Sequence, residues 1–147
     1  MKYKQILLCA LAALSLSLIA CSSVPMQASV DVSYDEFLKV KDTISRHVTK
    51  SLEVPAGGSI TVTLWSNQTT GFEWSEEAII ADQGLIQQIE HKYVPPEDKE
   101  LVGASGKEVW TFKALKKGTT TVSMEYSQIW EGGEKDAYGF FLTVVVK

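Results

Sequence analysis

The chain has 147 residues, 45% of them hydrophobic and 22% charged, which suits one folded domain and excludes both a disordered protein and a comfortable pair of domains. Its formal net charge is −4, and the leader described next takes Lys2 and Lys4 with it, so the remainder is more acidic still. An acidic chain offers no basic footprint to a phosphate backbone, which excludes a nucleic-acid partner.

Residues 1–20 read as an export signal. Lys2 and Lys4 form its positive start, and Ile6 to Ile19 is an apolar run interrupted only by serines. The run approaches the lower length limit for a bilayer span, but it ends on Leu18-Ile19-Ala20-Cys21, followed by Ser22-Ser23. That tetrapeptide resembles the bacterial lipobox, which implies cleavage before Cys21 and a lipid on that residue. The expected location is the bacterial cell envelope; Ser22 in place of Asp beside the Cys implies the outer membrane if the cell is Gram-negative. Ordinary secretion with an unmodified Cys21 is the alternative. Cys9 leaves with the signal, so no disulfide remains to staple the domain and the core must hold it.

Residues 21–42 read as the lipidated N-terminus and a tether, because Ser22 to Ser33 mixes small and polar residues without a sustained period. A short helical turn is predicted from Tyr34 to Val40, with Asp35 and Glu36 early and Lys39 and Lys41 late, the favourable order for the helix dipole. From residue 43 to 147 the punctuation becomes that of an all-β domain. After Pro55 and Gly57-Gly58, Ile60, Val62 and Leu64 alternate with Thr61, Thr63 and Trp65, a period of two that turns one set inward. A less regular strand is predicted over 85–94, between Asp82-Gln83-Gly84 and Pro95-Pro96. Trp110, Phe112 and Ala114 alternate with Val109, Thr111 and Lys113; past Lys116-Lys117-Gly118, Val122, Met124 and Tyr126 alternate with Thr121, Ser123 and Glu125. The run from Phe140 to Val146 is apolar on both parities, as in a central strand whose outer face is at least partly covered. The fold class is therefore all-β: an immunoglobulin-like β-sandwich of about seven to eight strands with three binding loops at one end, a closed barrel being the alternative.

Catalytic chemistry is hard to assemble from this inventory. His47 and His91 are the two histidines, no His-x-x-x-His or Cys-x-x-Cys spacing exists for a metal, and there is no nucleophile elbow or phosphate loop. No cofactor is expected. Glu90-His91 and the charged run from Glu97 to Glu100 read as solvated surface.

Binding chemistry remains, in three loops. Asn67, Gln68, Thr69, Thr70, Gly71 and Phe72 form the first, where Gly71 supplies a positive φ and Asn67 bonds its own backbone; taken alone, it is a β-turn. The second runs from Pro95 to Lys107 and carries Gly103, Ala104, Ser105 and Gly106; taken alone, it is a flexible hairpin tip. The third, Ser127 to Asp136, holds Gln128, Ile129 and Trp130. A loop Trp is either an interface anchor or a cap folded back on the end of the sandwich.

Asn67-x-Thr69-Thr70-Gly71-Phe72 resembles the Asn-Pro-Thr-Thr-Gly loop of the chagasin-like inhibitors of papain-type cysteine peptidases, inhibitor family I42. Gly103-Ala104-Ser105-Gly106, followed by Val109-Trp110-Thr111-Phe112, resembles that family's Gly-rich second loop and the strand after it. Glu125 to Glu131 is similar to its Tyr, Arg-Pro-Trp and Glu segment. Gln68 stands where the family has Pro, Ser105 where Gly or Pro is common, and Gln128-Ile129 where Arg-Pro is usual. The resemblance implies a monomeric, non-enzymatic domain that inhibits a papain-family cysteine peptidase reversibly and non-covalently. The first loop would lie over the catalytic Cys and His, and the other two would flank the cleft. An envelope lipoprotein that uses such a module for assembly or adhesion is the rival reading.

Overall fold

The computed structural model describes residues 26–97 and 103–147. Residues 1–20, expected to be an export signal, Cys21 and the middle of the second loop lie outside the described residues. Nine strands, one α-helix and one 3₁₀ turn make up the rest. One sheet takes β1 (Gln27–Val32), β3 (Ser59–Ser66), β7 (Gly106–Ala114) and β6 (Ile86–Val94) in that spatial order. The other takes β2 (His47–Val54), β9 (Tyr138–Val146), β8 (Gly118–Gln128) and β4 (Phe72–Trp74), with β5 (Ile79–Ile80) also on β8.

The alternation seen in the sequence decides which side chains meet between the sheets. Ile60, Val62 and Leu64 face inward from β3; Trp110, Phe112 and Ala114 from β7; Val122, Met124 and Tyr126 from β8; all are buried. In the central strand β9, Phe140, Leu142, Val144 and Val146 are buried, while Phe141 on the outer face is partly covered by the His47 ring at 4.7 Å. The irregularity of β6 has a cause: its register with β7 shifts between Gln88 and Glu90, a bulge on an edge strand that leaves Ile89 exposed.

The segment expected as tether is largely part of the domain. Residues 27–32 lie parallel to β3, from Gln27 opposite Ser59 to Val32 opposite Leu64. Val32 is buried, and Ala28 and Val30 pack against the core. Helix α1 (Tyr34–Val40) follows, with the span and charge order the sequence suggested. Seven residues are too few to hold a helix in water alone. The helix is held by fully buried Phe37, whose ring lies 5.3 Å from Trp74 and 5.4 Å from Tyr138; a Glu36–Lys50 ion pair adds to this from β2.

Strand direction places the loops. β3 ends at Ser66 opposite Gly106 at the start of β7, and β8 ends at Gln128 opposite Phe72 at the start of β4. The connections 67–71, 95–105 and 129–137 therefore leave the sandwich at one pole, together with α1. Met26 sits at the other: its carbonyl accepts the Ser59 N–H at 2.8 Å, next to the Gly57-Gly58 turn.

Candidate functional site

The first loop is a closed 3₁₀ turn over Gln68–Thr70, and the residues that close it are its own. Asn67 Oδ1 accepts the Thr69 N–H at 3.3 Å and the Thr69 hydroxyl at 2.6 Å. Asn67 O accepts the Thr70 N–H at 3.2 Å and its hydroxyl at 2.6 Å, and Gly71 N–H donates to Gln68 O at 3.0 Å. Gly71 then turns the chain at φ 77° and ψ 5°, left-handed geometry that suits glycine. The N–H groups of Thr69, Thr70 and Gly71 and both threonine hydroxyls thus donate inside the loop. Carbonyl and hydroxyl lone pairs, together with the Gln68 side-chain amide, are what the tip has left for a partner.

The root of the loop is fixed to the core. Tyr126, buried on β8, accepts the Asn67 N–H at 3.0 Å through its phenol oxygen and donates to Asn67 O at 3.3 Å. Burial pushes this phenol above the ordinary tyrosine value, while its hydrogen bond with the Asn67 backbone pulls the other way. Its ring stacks on Phe72 at 5.5 Å and sits within 5.6 Å of Trp65 and 5.1 Å of Trp74. Below the loop lies a buried carboxylate: Glu108 Oε1 accepts from Ser66 Oγ at 2.7 Å and the Trp74 N–H at 3.2 Å, and Oε2 lies 2.9 Å from His91 Nε2. Here the carboxylate is the central group and Ser66 is fully buried, so the cluster braces strand ends rather than presenting a nucleophile. His91, expected on the solvated surface, is drawn in by this contact and by Trp110 at 4.7 Å.

The three loops touch. Asn67 Nδ2 donates to Gly103 O at 3.3 Å, joining the first loop to the second. The Trp130 ring joins the first to the third by lying against Gly71, where an added Cβ would stand 2.5 Å from Cη2 and 2.7 Å from Cζ3. Trp130 thus combines both sequence readings: it folds back onto the first loop yet stays 47% exposed, beside Ile129 at 71%. The third loop is closed by Gln128, whose Oε1 accepts the Glu134 N–H at 2.9 Å. Lys135 Nζ donates to Gln128 O and, at 3.2 Å, to Trp130 O.

Three of the sequence-nominated residues lie at strand ends rather than in the loop tips. Phe72 belongs to β4 and stacks on Tyr126. Gly106 is the buried first residue of β7, where a Cβ would meet Val94 O at 2.4 Å and the Tyr93 hydroxyl oxygen at 2.5 Å. Gln128 ends β8, with its side chain engaged inside the hairpin. The surface itself is made by Gln68, Thr69, Thr70, Gly103, Ala104, Ser105, Ile129 and Trp130, with Gly71 beneath the indole. Sequence reasoning missed the roles of Tyr126 and Glu108. For Glu108 a signal was present, since it shares the inward parity of Trp110 and Phe112.

A β-sandwich that locks three loops into one partly apolar, acceptor-bearing surface defines a protein that works by binding a partner. The family model described as "Chagasin family peptidase inhibitor I42" matches residues 53–144. Chagasin of Trypanosoma cruzi is 34% identical over 111 residues, which covers 71% of this chain and 98% of that protein. The chain belongs to the chagasin family of peptidase inhibitors. Solved structures share its fold. The cysteine protease inhibitor EhICP2 of Entamoeba histolytica has a TM-score of 0.62 at 21% identity, covering 84% of this chain and 99% of that one. PbICP-C in complex with falcipain-2 has a TM-score of 0.59 at 13% identity, covering 82% and 99%.

Proposed function

We propose that the chain is a reversible, non-covalent inhibitor of papain-like cysteine peptidases that occludes the active-site cleft with its three loops. The observation that carries this reading is their mutual locking, Asn67 to Gly103 and Gly71 to Trp130, which joins three separate connections into one preorganised surface. The chemistry fits such a cleft. A papain-type site pairs its thiolate with a protonated imidazole and offers oxyanion-hole donors, so it is rich in donors. The 67–71 tip, with its Thr69, Thr70 and Gly71 N–H groups and both threonine hydroxyls engaged, brings acceptors. Its 3₁₀ turn and left-handed Gly71 cannot lie in the cleft as an extended strand, so no peptide bond is offered for cleavage. Exposed Ile129 and Trp130 supply apolar contact beside the slot. The relatives agree in kind: chagasin is a member of the same family, and a protein of the same fold is found bound to falcipain-2. The test is inhibition of papain by the chain from residue 22 onward, which keeps every described element, with Thr70→Arg as the variant that blocks entry.

The same proposal includes a lipid anchor on Cys21, supported by the leader and its Leu-Ile-Ala-Cys ending. Met26 lies at the pole opposite the loops, five residues from Cys21, a reach of roughly 17 Å at full extension. An anchored domain would then stand on its far pole with the three loops turned to the aqueous side. Metabolic labelling with palmitate checks this: the wild-type chain should incorporate label and Cys21→Ser should not. Equal labelling of both, or of neither, would remove the anchor from the account.

A further inference from the structure

Beside the Thr69-Thr70 tip the surface opens into a small aromatic notch. Its walls and floor are Tyr34, Trp65, Thr70, Phe72, Tyr126 and Tyr138, and its volume is about 160 Å³. That is too small for a cofactor or drug-sized ligand, which occupy roughly 300 Å³ or more. It is close to the ~150 Å³ apolar cavity that holds one benzene. Resting on the proposed function above, we infer that this notch is a fourth contact of the inhibitory surface and receives one aromatic or branched aliphatic side chain from the peptidase wall beside its cleft.

Three observations support that occupant. Thr70 belongs to both the tip and the notch, so a partner that covers the tip reaches the notch without a break in the surface. The floor is apolar in effect: Tyr126 has its phenol engaged with Asn67 and its ring against Phe72, leaving stacked faces for an apolar group. The outer wall is Tyr34, 41% exposed and 4.4 Å from the Trp65 ring. It stands on α1, which buried Phe37 fastens to the core, so the wall is held in place before a partner arrives. Tyr34 precedes the 53–144 stretch that the family model matches, so this wall lies outside that match.

The experiment compares inhibition constants and melting temperatures for four variants of the chain from residue 22, against papain and a cathepsin L-like enzyme. Tyr34→Ala removes the wall, and Ala137→Leu fills the notch from its buried lining. Each should weaken inhibition of at least one enzyme by about tenfold, and Tyr34→Phe, which restores the ring, should recover most of what Tyr34→Ala loses. Thr70→Arg reports on the surface as a whole, since Thr70 belongs to tip and notch alike. If Thr70→Arg abolishes inhibition while Tyr34→Ala and Ala137→Leu leave both constants within twofold, the notch is overturned and the three-loop surface stands. If Thr70→Arg has no effect, the three-loop reading falls and the notch falls with it. Should Tyr34→Ala lower the melting temperature by more than a few degrees, Ala137→Leu decides the matter alone.

Discussion

Gly71 is constrained twice, by its left-handed φ of 77° and by the Trp130 ring that occupies the space a Cβ would take. Gly71→Ala should therefore cost stability and potency together. The left-handed conformation alone costs about 1–2 kcal/mol, a melting-temperature fall of several degrees in a domain of this size. The displaced indole should raise the inhibition constant against papain by tenfold or more. A lowered melting temperature with unchanged inhibition would show that the indole does not bear on the peptidase. The same contact answers the absence of proline at Gln68: the turn is held by Asn67 Oδ1, by Tyr126 at its root and by Trp130 above. At this scale, what the sequence made legible was local. Asn67, Thr69, Thr70 and Gly71 make their bonds within a few residues, so turn chemistry was enough to read them. The strand-end positions of Phe72, Gly106 and Gln128 were not legible, because their neighbours, Tyr126, Val94 and Glu134, depend on strand register and hairpin closure.

Among the elements, β1 and α1 depart furthest from the sequence reading. Ala28, Val30 and Val32 do alternate, but three residues set among Gln27, Ser29 and Asp31 are too short a run to stand out from a polar linker. What makes them a strand is the open edge of β3, which no local pattern announces. The helix was legible from its charge order, while the burial of Phe37 on Trp74 and Tyr138 was not. Phe37→Ala should destabilise the domain by about 3–5 kcal/mol, the usual range for emptying a buried phenylalanine site. Denaturant unfolding measures it. A loss below about 1 kcal/mol would mean that α1 is an appendage of the sandwich. The strands β3, β7, β8 and β9 were legible because each buries one parity, or nearly both, over many residues. β6 was less so, since the bulge at Ile89 breaks its period.

Taken whole, the molecule separates its ends. The loops and α1 share one pole, Met26 and the Gly57-Gly58 turn the other, and a core of aromatic and branched aliphatic side chains spans the distance between. Tyr126 and Glu108 tie the loop pole to that core, so the binding surface is part of the rigid sandwich. A partner would meet a first loop already fastened to the core, over roughly 800 Å² per side for a contact of standard size. The central claim is that this surface blocks a papain-like cleft without being cut. It is tested most directly by titrating papain and a cathepsin L-like enzyme with the chain from residue 22 onward, then recovering the inhibitor. The account predicts one-to-one, reversible inhibition with the inhibitor intact and lost in Thr70→Arg; no inhibition of either enzyme at micromolar concentration, or cleavage between Asn67 and Phe72, would contradict it.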